Sequence, residues 1–275
     1  MSSSRTAFWP TIVIPVFNAP GALARCIAAT AATLPGDARV IVIDDASNAP
    51  GVAAVLEQCP SEWRRIRHAR NRGFVATANH GMQLAGDADV LLLNSDTVPA
   101  GRWLERMRAA LDADARVASV TPFTNNGEIA SLPDFCRAAP VPDDVGRWAE
   151  ACLQAGPPGY PEIPTAVGFC MLLRRTCLDQ VGAFDAEAFG RGYGEENDWC
   201  MRARAAGWRH VLCDDAFVAH QGNASFGPLG LGPDDSAMQR LLARHPGYLD
   251  EVRRFIDADP LSDARRRVLD QLSRA

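Results

Sequence analysis

The sequence predicts an α/β fold: a mostly parallel central sheet, doubly wound and flanked by helices, followed by a helical C-terminal extension. Three observations carry this. Short β-branched apolar runs alternate with Ala-rich stretches of helical spacing through residue 121. After Pro122 the chain turns rich in Pro, Asp and Gly up to residue 164. From Asp234 onward the pattern is helical, with Pro246 and Pro260 as breaks.

Thr11–Val16 (TIVIPV) has the all-apolar character of a strand buried on both faces, and Pro20–Thr33 follows with helical spacing. Val40–Ile43 (VIVI) is the second strand and runs into Asp44 and Asp45. Val52–Gln58 reads as a short helix, Arg64–His68 as a weak strand and Gly73–Leu84 as a helix. Val90–Leu93 (VLLL) is a strand that ends at Asn94-Ser95-Asp96. A helix at Arg102–Leu111 and a strand at Val117–Val120 complete the alternation, which predicts parallel strands joined by right-handed crossovers. In the second half, Val145–Ala155 and Glu195–Ala206 read as helices. Ala166–Leu173 reads as a strand with Leu178–Phe184 packed behind it, and Arg209–Cys213 and Phe217–His220 as two short strands. No linker argues for independently folding parts.

Composition narrows the chemistry. The 275 residues are 47% hydrophobic and 22% charged, with a formal net charge of −5, so no basic field covers the surface and nucleic acid is not an expected partner. All 28 basic residues are arginine. A lysine Schiff base, a lysine general base and a P-loop lysine are therefore excluded. The eight cysteines show no CxxC pair and no zinc spacing, and most sit among apolar neighbours as buried thiols do. The opening residues MSSSRTAFWP lack the apolar core of a secretory signal, and no run is long enough to span a membrane; a cytoplasmic location is expected.

In an open parallel sheet, ligands bind beyond the carboxyl ends of the strands. Three predicted strands end there in polar residues: Pro15-Val16-Phe17-Asn18, Asp44-Asp45-Ala46-Ser47 and Asn94-Ser95-Asp96. Any one of these clusters suits a helix cap or a turn. Three on one edge point to a site whose carboxylates can meet ribose hydroxyls, a base N–H or a hard divalent cation. The first turn is VFNAPGA, neither G-x-G-x-x-G nor a P-loop, so side chains and a metal must hold any nucleotide. Gly190, Gly192 and Gly194 read as a flexible loop that opens the helix at Glu195. That helix begins Glu195-Glu196-Asn197-Asp198, acidic residues suited to a helix N-terminus and, as an adjacent pair, to general-base work. Asp198 and Arg202 stand one turn apart and can pair. His220 ends a predicted strand, and on the edge that holds Asp96 it would complete a carboxylate–imidazole metal site.

The ordered set TIVIPVFN, VIVIDDAS, NRGFVATANHG, VLLLNSDT, GYGEENDWCMRARAAGWR and AHQGNASFG resembles the family 2 inverting glycosyltransferases of GT-A fold, a Rossmann-like architecture. The likeness covers roughly residues 10–227. It implies a GT-A domain over 1–230, with a nucleotide-sugar-binding half at 10–121 and an acceptor and catalytic half at 122–230, and a helical extension at 231–275. By the resemblance, Pro15 and Phe17 line the base pocket, with Asn18 also at the donor site, Asp45 bonds a uracil or thymine ring, and Asp44 sits beside it. Asn71, Gly73, Phe74 and Asn79 form the stretch over nucleotide and sugar. Asn94, Ser95 and Asp96 stand where the family carries its DxD motif. The resemblance makes Asp96 the carboxylate that would ligate Mg or Mn on the donor diphosphate, with Asn94 leaving the protein one negative charge fewer, and makes His220 the second metal ligand.

Glu196 falls where the family's catalytic aspartate sits, with Glu195 as its neighbour, and Asp198 and Trp199 are expected on the acceptor side. The resemblance implies transfer of a sugar from a UDP- or dTDP-sugar to a hydroxyl of a glycan, lipid-linked or protein acceptor, with inversion. GYGEENDWC further resembles rhamnosyltransferases of bacterial surface polysaccharides. Two other readings compete. A nucleotide-sugar pyrophosphorylase wants a glycine-rich basic loop after the first strand, which VFNAPGALAR does not supply. A catalytically degenerate binding module of a larger assembly is suggested by Asn94. The C-terminal helix bearing Val252, Phe255 and Ile256 suits packing on its own domain or a partner subunit, or peripheral contact with an anionic membrane.

Overall fold

The computed structural model describes residues 9–190, 192–222 and 235–274. Nine strands form one sheet: β1 (Thr11–Val16), β2 (Val40–Asp44), β3 (Arg64–Arg67), β4 (Val90–Leu93), β5 (Thr97–Pro99), β6 (Val117–Phe123), β7 (Glu162–Ile163), β8 (Cys170–Leu173) and β9 (Arg209–His220). Their order is β3-β2-β1-β4-β8-β6-β9-β5, with β7 paired to β9. The parallel arrangement expected from the alternating pattern holds across β3, β2, β1 and β4. Beyond β4 the sheet is mixed: β8 runs antiparallel to both β4 and β6, while β6 and β9 are parallel.

Helices cover both faces because successive strand residues point to opposite sides. Ile12, Ile14, Leu91 and Leu93 face α1 (Pro20–Thr33) and α4 (Trp103–Asp112), joining Leu23, Ile27, Trp103 and Met107. Val13, Ile41, Ile43 and Leu92 face α3 (Phe74–Leu84) and α8 (Glu195–Ala205), joining Val75, Met82, Trp199 and Cys200. The first layer on this side is tight: a Cβ at Gly81 of α3 would lie 2.2 Å from a methyl of Val13. The short helices α2 (Val52–Leu56), α6 (Arg175–Val181) and α7 (Ala186–Phe189) fill the connections.

Two expected strands, at Arg209–Cys213 and Phe217–His220, are one. β9 runs through both, and Asp214, Asp215 and Ala216 bulge out where the register slips between Pro122/Cys213 and Phe123/Phe217. The acidic bulge is satisfied internally. Asp214 accepts from the backbone N–H of Gly159 and Tyr160 and pairs with Arg267; Asp215 pairs with Arg106. Pro122, which has no N–H, sits at that slip, where the ladder is already broken.

The chain breaks expected at Pro246 and Pro260 separate α9 (Asp235–Arg244), α10 (Tyr248–Ala258) and α11 (Ser262–Arg274). Leu241 and Tyr248 join the core of the α8 face. Leu261 and Val268, both 0% exposed, close a third cluster with Phe123, Phe217 and Cys152 of α5 (Val145–Gln154). Of the helical face expected at Val252, Phe255 and Ile256, the first two pack inward, Phe255 against Phe135, while Ile256 stays exposed. Seven of the eight cysteines are buried and Cys136 alone among them is exposed; none forms a disulfide. Among the described residues no helix is long and apolar enough to cross a membrane.

Candidate active site

Because β8 is antiparallel to β4 and to β6, the strands β1, β2, β4, β6 and β9 all point the same way, and their carboxyl ends share one edge. A cleft of about 570 Å³ opens there. Of the residues expected to form a site, Pro15, Phe17, Asp45, Asn71, Gly73, Phe74, Asn94, Ser95, Asp96, Glu195, Glu196 and His220 line it together. The glycine-rich turn ahead of α8 lies in the same wall: Gly192 lines the cleft and Gly194, at φ 102°, is the residue before the first turn of α8.

His220 has a fixed orientation in the cleft. Its Nδ1–H donates to the carbonyl of Asn126 at 2.7 Å, so Nε2 is left facing Asp96 Oδ1 at 3.4 Å. The ring stacks on Phe169 with centroids 5.2 Å apart. Burial works to lower the imidazole pKa, but Asp96 and the Asn126 carbonyl outweigh it and raise it. Asn125 fixes the backbone behind the ring, accepting from His220 N–H at 2.8 Å and donating to its carbonyl at 2.9 Å. An imidazole oriented by a backbone carbonyl, with its free nitrogen beside a carboxylate, suits Mg or Mn completed by diphosphate oxygens. Among the described residues no group of three His, Cys, Asp or Glu is arranged to hold a metal alone, so these two could supply only part of a ligand set.

Glu195 and Glu196 open α8 and hydrogen-bond each other; each leaves Oε2 buried without a partner. Burial pushes both carboxyl groups up, Glu195 further because Glu196 lies beside it, and together they hold a proton above the usual carboxylate range. Gly168 leaves the space over Glu196 open: a Cβ there would lie 3.8 Å from its carboxyl carbon.

Asp45 is a hub as well as a lining residue. Its carboxylate accepts from the backbone N–H of Arg72 at 2.9 Å and Gly73 at 2.8 Å, and from His68 Nδ1 at 2.7 Å. His68 Nε2 in turn meets His80 Nδ1 at 2.9 Å. A base N–H would therefore share an acceptor that already fixes the loop at 71–73.

Five expected site residues lie off the cleft. Asn18 ties the loops after β1 and β2, accepting from the N–H of Asn48 and Ala49. Asp44 is 1% exposed, accepts from Ser47 N–H and pairs with Arg67. Asn79 clamps both backbone groups of Phe184, fastening α3 to the segment after α6. Trp199 is 0% exposed and donates to the carbonyl of Gly182 at 2.9 Å, so it is core and not an acceptor platform. Asp198, also 0% exposed, holds Arg202, Arg244 and His245; burial alone would raise its carboxyl pKa, but these partners bring it down. The pairing with Arg202 at 2.8 Å is the one the spacing predicts.

The cleft also holds residues that the sequence reading missed: Thr77, Asn126, Gly127, Glu128, Val167, Gly168, Phe169, Tyr193 and Gly222. The signal for the central group was the strand-end rule itself, which applied to β6 leads to Asn125-Asn126-Gly127-Glu128. Among the described lining residues there is no arginine, so His220 is the one side chain there able to carry positive charge.

A profile of the glycosyl transferase family 2 matches residues 11–182, which takes in β1 to α6 and stops short of Glu195, Glu196 and His220. No curated protein matches the chain. Among solved structures, the fold is similar to a crystal structure of GalNAc-T7 with UDP, GalNAc and Mn2+, at a TM-score of 0.64 and 16% identity. The match covers 97% of this chain and 55% of that one, so the chain spans about half the length of the protein it resembles. The sheet and its flanking helices are thus of GT-A type, and the family match extends over more than half of the sequence: the chain belongs to glycosyltransferase family 2.

Proposed function

We propose that the chain is an inverting transferase that moves a sugar from a UDP- or dTDP-sugar to an acceptor hydroxyl, with Glu196 as general base. One observation carries the reading: the Asp96–His220 pair and the buried Glu195–Glu196 pair face a single cleft at the carboxyl edge of the sheet. Pro15 and Phe17 flank the base, the Asp45-anchored loop with Asn71, Gly73 and Phe74 lies over nucleotide and sugar, and residues 10–121 form the donor half. Asp96 and His220 would hold Mg or Mn, with Asn94 and Ser95 beside them; bound there, the ion offsets the charge of the departing diphosphate.

Glu196, in its ionised form, takes the proton of the acceptor hydroxyl as its oxygen attacks the anomeric carbon from the face opposite the leaving group. Glu195 shares the pair's proton and keeps the base partly protonated until the pH exceeds the usual carboxylate range. Residues 122–230 supply this acceptor side. At the finer level we read the acceptor as a glycan, lipid-linked or protein hydroxyl of the rhamnosyltransferase-like kind. Exposed Leu249 and Ile256 on α10 are the surface for any peripheral membrane or subunit contact.

Two measurements test this. Glu196→Gln should lower turnover by about 10²- to 10⁴-fold while nucleotide-sugar affinity survives; turnover like that of the wild type removes Glu196 from the mechanism. Asp96→Ala and His220→Ala should each weaken nucleotide binding in the presence of Mn, read by calorimetry. Affinity that ignores both the metal and the substitutions overturns the ligand assignment.

A further inference from the structure

Glu128 has no part in the mechanism above, yet its setting is costly. It opens the 3-10 turn Glu128–Ala130 at φ 49°, in the left-handed region that a glutamate seldom adopts. The surroundings hold it there. Thr124 N–H donates to Ala130 O at 3.1 Å, Leu132 N–H to Thr124 O at 2.7 Å, and Gly127 N–H to Ser131 Oγ at 3.0 Å. Ile129 through Leu132 are buried beneath.

The turn is a rigid bracket, and the side chain it presents lines the cleft. Among the described residues the carboxylate makes no hydrogen bond or ion pair. The residue stays open to solvent through the cleft mouth, while the walls around its carboxyl raise its pKa by burial.

Position tells which substrate it meets. Gly127, the residue before it, packs against Phe169, where a Cβ would lie 3.2 Å from the ring, and Gly168, the residue before Phe169, lies over the carboxyl of Glu196; this shared wall brings Glu128 toward the proposed base. In a single displacement the base faces the incoming hydroxyl and the diphosphate leaves on the other side. A group beside the base therefore meets the acceptor.

We propose that Glu128 binds hydroxyls of the acceptor sugar and so determines which acceptors are used, an inference that rests on the transferase reading above. Ionised carboxylates accept from two donors at once, which suits the paired hydroxyls of a glycan terminus and not a phenol or a simple alcohol. The strained backbone is kept because the bracket aims this side chain.

The test is calorimetry on the wild type, Glu128→Gln, Glu128→Ala and Glu128→Gly, each saturated with UDP or dTDP and Mn. The titrant is a panel of p-nitrophenyl hexosides, with p-nitrophenol as the hydroxyl-poor control. The wild type should bind a hexoside and not p-nitrophenol. Hexoside affinity should fall about tenfold or more in the Ala and Gly variants and less in Gln, with nucleotide affinity kept within about twofold. Glu128→Gly should also melt higher, by about 2 °C, because glycine relieves the left-handed strain. Hexoside affinity equal in all four proteins, or no hexoside bound by the loaded wild type, overturns the proposal. Nucleotide affinity that falls in step overturns it too, by moving Glu128 to the donor side. Failure of the wild type to bind either nucleotide would instead overturn the transferase reading, and this inference with it.

Discussion

At the scale of single residues, the acidic pair decides how the protein responds to pH. Burial, and for Glu195 the neighbouring charge of Glu196, raise both carboxyl groups. A base with a raised pKa is lost as pH falls through that raised value, so the acid limb of the pH–rate profile should lie above the ordinary carboxylate range. In Glu128→Gln one of the charges that raises Glu196 is gone, and the limb should move to lower pH. Stability runs the other way. A carboxyl whose folded pKa exceeds its unfolded value stabilises the fold below the unfolded pKa, and that contribution disappears as pH rises through the folded one. Glu195→Gln should therefore melt higher than the wild type at pH 7, with the gap closing as the buffer is taken toward pH 4; equal melting at pH 7 would contradict the buried-pair account. The sequence made Glu195 and Glu196 legible because they are adjacent and acidic. It hid the fate of Asp198 and Trp199, since which side of α8 faces the cleft depends on what packs against it: Arg244 at the end of α9 and His245 just after it come from far along the chain.

At the scale of elements, the close approach of α3 to β1 is the most exposed point of the architecture. Gly81→Ala would place a methyl 2.2 Å from Val13, in a layer with no slack, and should destabilise the fold by about 1–3 kcal/mol in denaturant titration. The run TIVIPV and its partners VIVI and VLLL were readable because strands buried on both faces need unbroken apolar sequence. β6 was read too short because Thr121-Pro122-Phe123 looks like a strand end. Only the pairing with bulged β9 shows how proline is accommodated, and that extension carries the chain to Asn125, Asn126 and Glu128. The antiparallel strands β5 and β7 were the least legible, being at most three residues long and without a period of their own, whereas β8 lies within the apolar run Ala166–Leu173 that reads as a strand.

At the scale of the whole molecule, the C-terminal helices complete the body of the protein. α11 covers α5 and the sheet through Leu261 and Val268, Arg267 donates to Ala155 O at 3.0 Å and pairs with Asp214 of the bulge, and Arg147 donates to Leu272 O at 2.6 Å. Removal of residues 262–274 uncovers the Phe123–Phe217 cluster and leaves Asp214 short of its cation. Such a truncation should lower the melting temperature by about 5–10 °C. A truncated chain that melts like the full one would make α11 a mere appendage. The sequence pattern forecast the helices and their proline breaks but not their docking, because the apolar residues of α11 name no partner until the sheet is folded.

The distribution of thiols gives the protein a built-in attachment point for a reporter. With seven cysteines sealed in the interior, the native chain should take up one equivalent of a maleimide dye, at Cys136, eight residues beyond Glu128 in the segment that also orients His220. Burial and the neighbouring charge of Glu128 raise the pKa of that thiol, so coupling will be slow at neutral pH and faster in mildly alkaline buffer. A dye at that single position would report on the segment after the Glu128 turn in an otherwise unmodified protein.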